Sequence, residues 1–317
     1  MPQPVLLAVP NVSEGSRPQV VAAVGKAITR QDGPDEGAAK LLDVHFDRDH
    51  DRAVFTVAGA PTSLAEAMLR CGREAVQQID VMSARGGQHP HVGALDVMPI
   101  VYLREQDRGA ACAEALVIAD RIGEELHVPV FLYGELTEDD SIPARTRHEL
   151  RRGGPAVLAS RIRGNDPGAL GASQLDSPLH PDFGPRALHP TAGATLVAAR
   201  PPLVAFNLQL APPSTLADAS RIAVLIREGG EQGLPGLRAI AVELSGGVPQ
   251  VSMNVERPFE LPLAEIVKVV ARHAPIASAQ LVGLAPRAAF EGFPADLSMP
   301  GFDPARHLIE NALQAII

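Results

Sequence analysis

Two histidines sit in an unusual frame, Gly86-Gly87-Gln88-His89-Pro90-His91-Val92-Gly93, followed by Ala94-Leu95-Asp96. Glycines on both sides open backbone angles closed to other residues, and Pro90 stiffens the middle, so His89 can be held in one pose. A fixed imidazole that titrates near neutral pH is the usual general base. An exposed loop with two incidental histidines fits the same spacing equally well. A second cluster, His45, Asp47, Asp49, His50 and Asp51, has the spacing H-x-D-x-D-H. Imidazole and carboxylate suit a divalent hydrolase metal, with His89 or His91 as a further ligand; a solvated connection between strands is the favoured reading, and no metal is expected. Arg145, Arg147, Arg151 and Arg152, with Arg161 and Arg163 beyond, form a basic run that reads as a solvated helix face. Asn11, Asn207 and Asn254 fall near strand ends, where amides cap or turn the chain or point into a groove.

The elements that must position these residues follow from apolar periodicity. Strands are expected at 5–9, 41–46, 52–58, 94–103 and 128–133, with helices after Ser16 as cap, from Thr62 or Ser63 to about 79, and over 109–126. Residues 153–192 are rich in Gly, Pro, Ser and Asp and lack periodicity, so a linker or functional loop is expected there, with a lobe boundary near 180. Beyond it the spacing predicts strands at 193–199, 203–209, 237–244, 249–256 and 279–284, and helices at 214–229, 263–273 and 304–316. Both halves thus share a βαββαβ rhythm. The expected fold is α/β (α+β), with two ferredoxin-like lobes, 1–180 and 181–317, and a ligand groove between them.

Bulk properties narrow the function class. At 317 residues the chain suits two lobes rather than one core. A net charge of -9 argues against a nucleic-acid partner, which demands a basic face. Apolar runs are too short for a membrane span, and the best, Ala194 to Leu210, is broken by Arg200-Pro201-Pro202. Met1-Pro2-Gln3-Pro4 has no basic region of the kind that opens a signal peptide, so a cytoplasmic protein is expected. Cys71 and Cys112 lie in helix-like stretches and read as buried free thiols.

Several segments together resemble the formiminotransferase domain of glutamate formimidoyltransferases and formiminotransferase-cyclodeaminases. They are Val9-Pro10-Asn11-Val12-Ser13-Glu14-Gly15, Leu41-Leu42-Asp43-Val44, the histidine loop through Val97, and Val128-Pro129-Val130-Phe131-Leu132-Tyr133-Gly134-Glu135. Pro181-Asp182-Phe183-Gly184-Pro185, Ala205-Phe206-Asn207 and Gln280-Leu281-Val282-Gly283-Leu284 follow in the family's order. The resemblance implies two α/β subdomains, a homodimer, and a formimino group moved from N-formimino-L-glutamate to N5 of tetrahydrofolate. It implies His89 as catalytic base, and Asn11, His45, Arg52, Gln88, His91, Gly93, Asp182, Asn207, Asn254 and Gln280 as folate- and substrate-binding residues. The chain departs from the family at Gln88, where Glu is usual, at His91 for Arg, at His45 for Asp, and at Asp51 in an Asn-Arg pair. Histidine replaces a bidentate arginine only in part, which leaves the donor open. The alternatives are a non-catalytic or divergent folate-binding paralogue and the metal-dependent hydrolase above.

Overall fold

The run Leu6–Ala8 is wholly buried and forms strand β1; Pro10, which has no N–H to give a ladder, interrupts it before the two-residue β2, Asn11–Val12. Both halves pair antiparallel with β4 (Arg52–Gly59) and β5 (Leu95–Val101). Helix α1 (Pro18–Thr29) leads to β3 (Lys40–Asp47), which pairs with the outer side of β4, and α2 (Ser63–Gln78) joins β4 to β5. The computed structural model describes residues 4–30, 38–83, 89–138, 144–164 and 179–315. It divides the chain into two compact units, Met1–Pro201 and Pro202–Ile317.

In the first unit α3 (Arg108–Leu126), β6 (Val130–Leu132), α4 (Arg147–Arg151), α5 (Gly154–Ile162) and β7 (Thr195–Arg200) follow β5. The sheet order is β3-β4-β1/β2-β5-β7-β6, with β7 parallel to β5 and β6. Helices α1 to α3 pack on one face, where Val24, Ile28, Met68 and Ile118 join Phe55 and Met98 in the core. The short α4 and α5 lie on the other face and bring Leu150, Leu158 and Ile162 against Val97, Phe131 and Leu196.

Two expectations are corrected here. The strand expected at 193–199 to open the second lobe completes the first sheet: Leu196 stands opposite Val97 and Phe131, so the division falls after Pro201. The stretch 153–192, expected to lack structure, contains α5, whose apolar residues are too few to show a period. Helix caps differ too. Neither Ser16 nor Thr62 caps with its side chain. Glu14 instead accepts from the Ser16 and Arg17 amides, and the buried Glu114 of α3 accepts from Thr62 and Ala65.

The second unit runs β8 (Val204–Leu210), α6 (Leu216–Ile226), β9 (Leu237–Leu244), β10 (Val248–Val255), α7 (Leu263–Ala271) and β11 (Ile276–Val282). Its strands are antiparallel in the order β11-β8-β10-β9, the layout of a split βαβ unit, and β1 through β5 of the first unit repeat that layout. The hairpin turns through the three residues 245–247, with Gly246 and Gly247 both at positive φ, which glycine adopts without strain. Val204, Phe206, Leu208 and Leu210 alternate inward onto the helices, which leaves Asn207 and Gln209 on the opposite face. The single helix expected at 304–316 is two short ones, α8 (Pro304–His307) and α9 (Ile309–Gln314), parted at the buried Leu308.

Candidate active site

Asp96, fully buried near the start of β5, organises the first unit's α4-bearing face. Its Oδ1 accepts from the Val92 amide at 2.9 Å, and its Oδ2 accepts from Arg52 Nη1 at 2.8 Å and from Arg151 Nη2. Burial alone would raise this carboxyl's proton affinity; Arg151, Arg52 and the Val92 N–H outweigh that and hold it well below the usual carboxylate range. Arg52 also donates from Nε to Asn11 Oδ1 at 2.8 Å, and the Asn11 amide is fixed by donating to the Val9 carbonyl. Arg151 reaches the site from α4, which a reciprocal Thr146–Glu149 capping box starts. Burial pushes its guanidinium down to about 10. Among the described residues two arginines share one carboxylate, which leaves this trio one positive charge.

His89 lies against that charge. Its Nδ1 is 3.2 Å from Arg52 Nη1 and 2.9 Å from the Pro90 carbonyl oxygen. Burial, then Arg52 and Arg151, push the imidazole well below its ordinary value. The two Nδ1 contacts compete: Arg52 needs a lone pair there, whereas Pro90 needs a proton. With the proton on Nδ1 and donated to Pro90, Nε2 is left with its lone pair, the form a base requires. Arg52 Nη1 already donates to Asp96 and its Nε to Asn11, so Arg52 does not depend on a lone pair at His89 and that form is available. The His50 ring lies 6.3 Å away, centre to centre.

The other expected residues take varied places. His45 and Asn11 stand opposite Val54 from its two flanking strands, so they share one sheet face with Arg52 two residues along. His91 Nδ1 lies 3.4 Å from the His89 carbonyl oxygen. Gly93 has a backbone role: an added Cβ would stand 1.8 Å from the Ala194 oxygen, and its carbonyl accepts from Ser13 Oγ at 2.8 Å. Gln88 lies outside the described residues. Asp182 accepts from the Leu132 amide and from Arg145, fastening the segment around 182 to β6. In the second unit Asn207 Nδ2 donates to Gln280 Oε1 at 2.8 Å, and Asn254 pairs with Ala205 and Arg238 in the same sheet.

The acidic turn between β3 and β4 spends its carboxylates on the chain. Asp47 accepts from the Asp49 and His50 amides, and Asp51 from the Gly15 amide and Ser16 hydroxyl. Among the described residues no three His, Cys, Asp or Glu side chains gather as a metal site. The basic run is corrected at Arg151, which is 8% exposed and pairs with Asp96 rather than facing solvent. Asp96 itself was visible as the last residue of the loop motif, whereas nothing local marked Arg151.

A histidine stands against an arginine–carboxylate cluster with surplus positive charge, on a split βαβ sheet. The chain belongs to the formiminotransferase family: residues 5–200 match the family's "Formiminotransferase domain, N-terminal subdomain". It is 32% identical over 316 residues to the glutamate formimidoyltransferase of Streptococcus pyogenes serotype M1, covering 98% of each chain. It is 31% identical over 288 residues to the Thermoplasma acidophilum glutamate formimidoyltransferase, covering 89% of this chain and 88% of that one. Against the Mus musculus formimidoyltransferase-cyclodeaminase it is 36% identical over 293 residues, 88% of this chain. There the chain spans about half the relative's length, 49%. No helix among the described residues is long and apolar enough to cross a membrane.

Proposed function

We propose that this protein is a folate-dependent one-carbon transferase that moves the formimino group of N-formimino-L-glutamate, or a related donor, to N5 of tetrahydrofolate. The observation that carries this reading is the end-to-end similarity to a glutamate formimidoyltransferase, 98% of both chains. The geometry around His89 supplies the chemistry. N5 attacks the formimino carbon, and His89 Nε2 takes the N5 proton and becomes an imidazolium. The tetrahedral adduct then breaks its bond to the glutamate nitrogen, which leaves as the amine with the proton that His89 returns. The Pro90 carbonyl steadies Nδ1–H throughout. Asn11, His45, Arg52, Gln88, His91, Gly93 and Asp182 of the first unit, and Asn207, Asn254 and Gln280 of the second, are the proposed binding residues. The protein works as a cytoplasmic homodimer with tetrahydrofolate as co-substrate.

The test is glutamate release. Purified protein given both substrates should free glutamate one-for-one with 5-formiminotetrahydrofolate, and release should cease when tetrahydrofolate is omitted. Tight tetrahydrofolate binding without release would favour the divergent folate-binding reading, which the replacement of the family's arginine by His91 motivates. Release that continues without tetrahydrofolate would point to a hydrolase.

A further inference from the structure

The site's charge balance carries a consequence for when its base can act. Among the described residues Asp96 is the carboxylate that the two guanidiniums of Arg52 and Arg151 share, on one oxygen, Oδ2. Arg147, four residues before Arg151 on α4, adds positive charge that both guanidiniums feel. The groups facing His89 are Arg52 from β4, Asp96 from β5, Arg151 from α4 and, at 6.3 Å, the His50 ring from the turn before β4. Its own Pro90 carbonyl and the neutral Asn11 amide behind Arg52 are the other polar groups there among the described residues. Two further polar atoms on this face, Tyr133 Oη and Arg151 Nε, are buried and have no hydrogen-bond partner among the described residues. Both are donors, and both residues are more than nine-tenths buried.

We infer that Arg52, Asp96 and Arg151 make His89 an anion-gated base, whose imidazole accepts a proton only once a carboxylate of the bound substrate has neutralised the cluster's surplus charge. Without the anion, an imidazolium beside Arg52 would place two like charges 3.2 Å apart, measured from Nδ1 to Nη1, and the proton is refused. With the anion against Arg151, the same guanidiniums are balanced and the imidazolium is tolerated. The base is therefore idle in the empty site, and reactive folate meets it armed only when the donor is present. Arg151 receives the anion in this scheme and passes its effect to His89 through Asp96 and Arg52.

The inference deepens the transferase reading and rests on it for the identity of the anion, but its test needs no turnover. The probe is glutarate, a dicarboxylate without a transferable group, and the readout is the His89 ring signal in an NMR pH titration of the whole protein. Saturating glutarate should raise the proton affinity of His89 about tenfold or more, one pH unit at the midpoint, while sodium chloride at equal ionic strength should not. An unmoved midpoint, with glutarate bound or failing to bind, overturns the inference. Arg151→Met should raise the midpoint of the empty protein and abolish the glutarate response, and Arg151→Lys should restore both toward the original. Should Arg151→Met not fold, the unmodified protein and Arg151→Lys decide the matter alone. A glutarate-dependent shift in a protein that does not turn over N-formiminoglutamate would leave the gate standing and remove the transferase reading.

Discussion

The two units use the same split βαβ layout to different chemical ends. Each packs its longer helices on one sheet face and carries buried polar side chains on the other, where the first unit adds α4 and α5. In the first unit those polar groups are charged: Asp96 is fully buried, and Arg52 and Arg151 are each 8% exposed. In the second the buried ones are amides, Asn207 and Gln250, with Gln280 accepting from both. Buried charges move the proton affinities of their neighbours, while amides keep the same donors and acceptors at every pH. Among the described residues, the buried charges on these two faces therefore belong to the first unit.

The contrast can be broken by substitution. His89→Ala should lower kcat about 10²–10⁴-fold with little change in folding, as expected for loss of a general base. Asn207→Ala, its counterpart among the amides, should act mainly on KM, by roughly fivefold for one hydrogen bond of about 1 kcal/mol. Stability gives a second comparison. Asp96→Ala leaves two guanidiniums buried without their carboxylate and should cost roughly 3–5 kcal/mol in denaturant unfolding. Gln280→Ala leaves only neutral groups unpaired and should cost roughly 1–3 kcal/mol.

The smallest expected effect is the pH dependence that the first unit's buried charges impose. In the unfolded chain His89 titrates near its ordinary value of about 6.5, but in the folded protein it titrates well below that. Between those two values the unfolded state binds more protons, so stability should fall as pH drops below about 6.5, and His89→Asn should flatten that slope. Asp96 has the depressed folded value of a paired carboxylate. Its contribution is present above its unfolded value of about 3.9 and is lost only as pH falls through the lower folded one. Amide substitutions in the second unit should leave both slopes unchanged.

Much of this was legible in the sequence. The strands and long helices followed from periodicity, and the two βαββαβ units emerge in the expected order. His89, Asn11 and Arg52 come together because each belongs to a local motif: a stiffened loop, a strand broken by proline, and a strand start. Arg151 was not legible, since its burial depends on α4 folding onto the face of β5, where Asp96 lies 55 residues earlier in sequence. The unit boundary was misplaced for a similar reason. Whether β7 joins the first or second sheet depends on its parallel pairing with β5 and β6, and a short apolar strand carries no mark of its neighbours. Asp182 shows the same limit, because its acceptance from Leu132 and Arg145 is set by the path of the chain back to β6.

The central claim is that a formimino carbon passes from an amine donor to tetrahydrofolate on this protein. Its most direct test uses N-formimino-L-glutamate labelled with carbon-13 at the formimino carbon, followed by NMR in the presence of tetrahydrofolate. The account predicts that the label moves from the glutamate nitrogen to the folate, at a rate proportional to protein and strongly reduced in His89→Ala. Label that stays on the donor, or leaves as a hydrolysis product without reaching the folate, would contradict it.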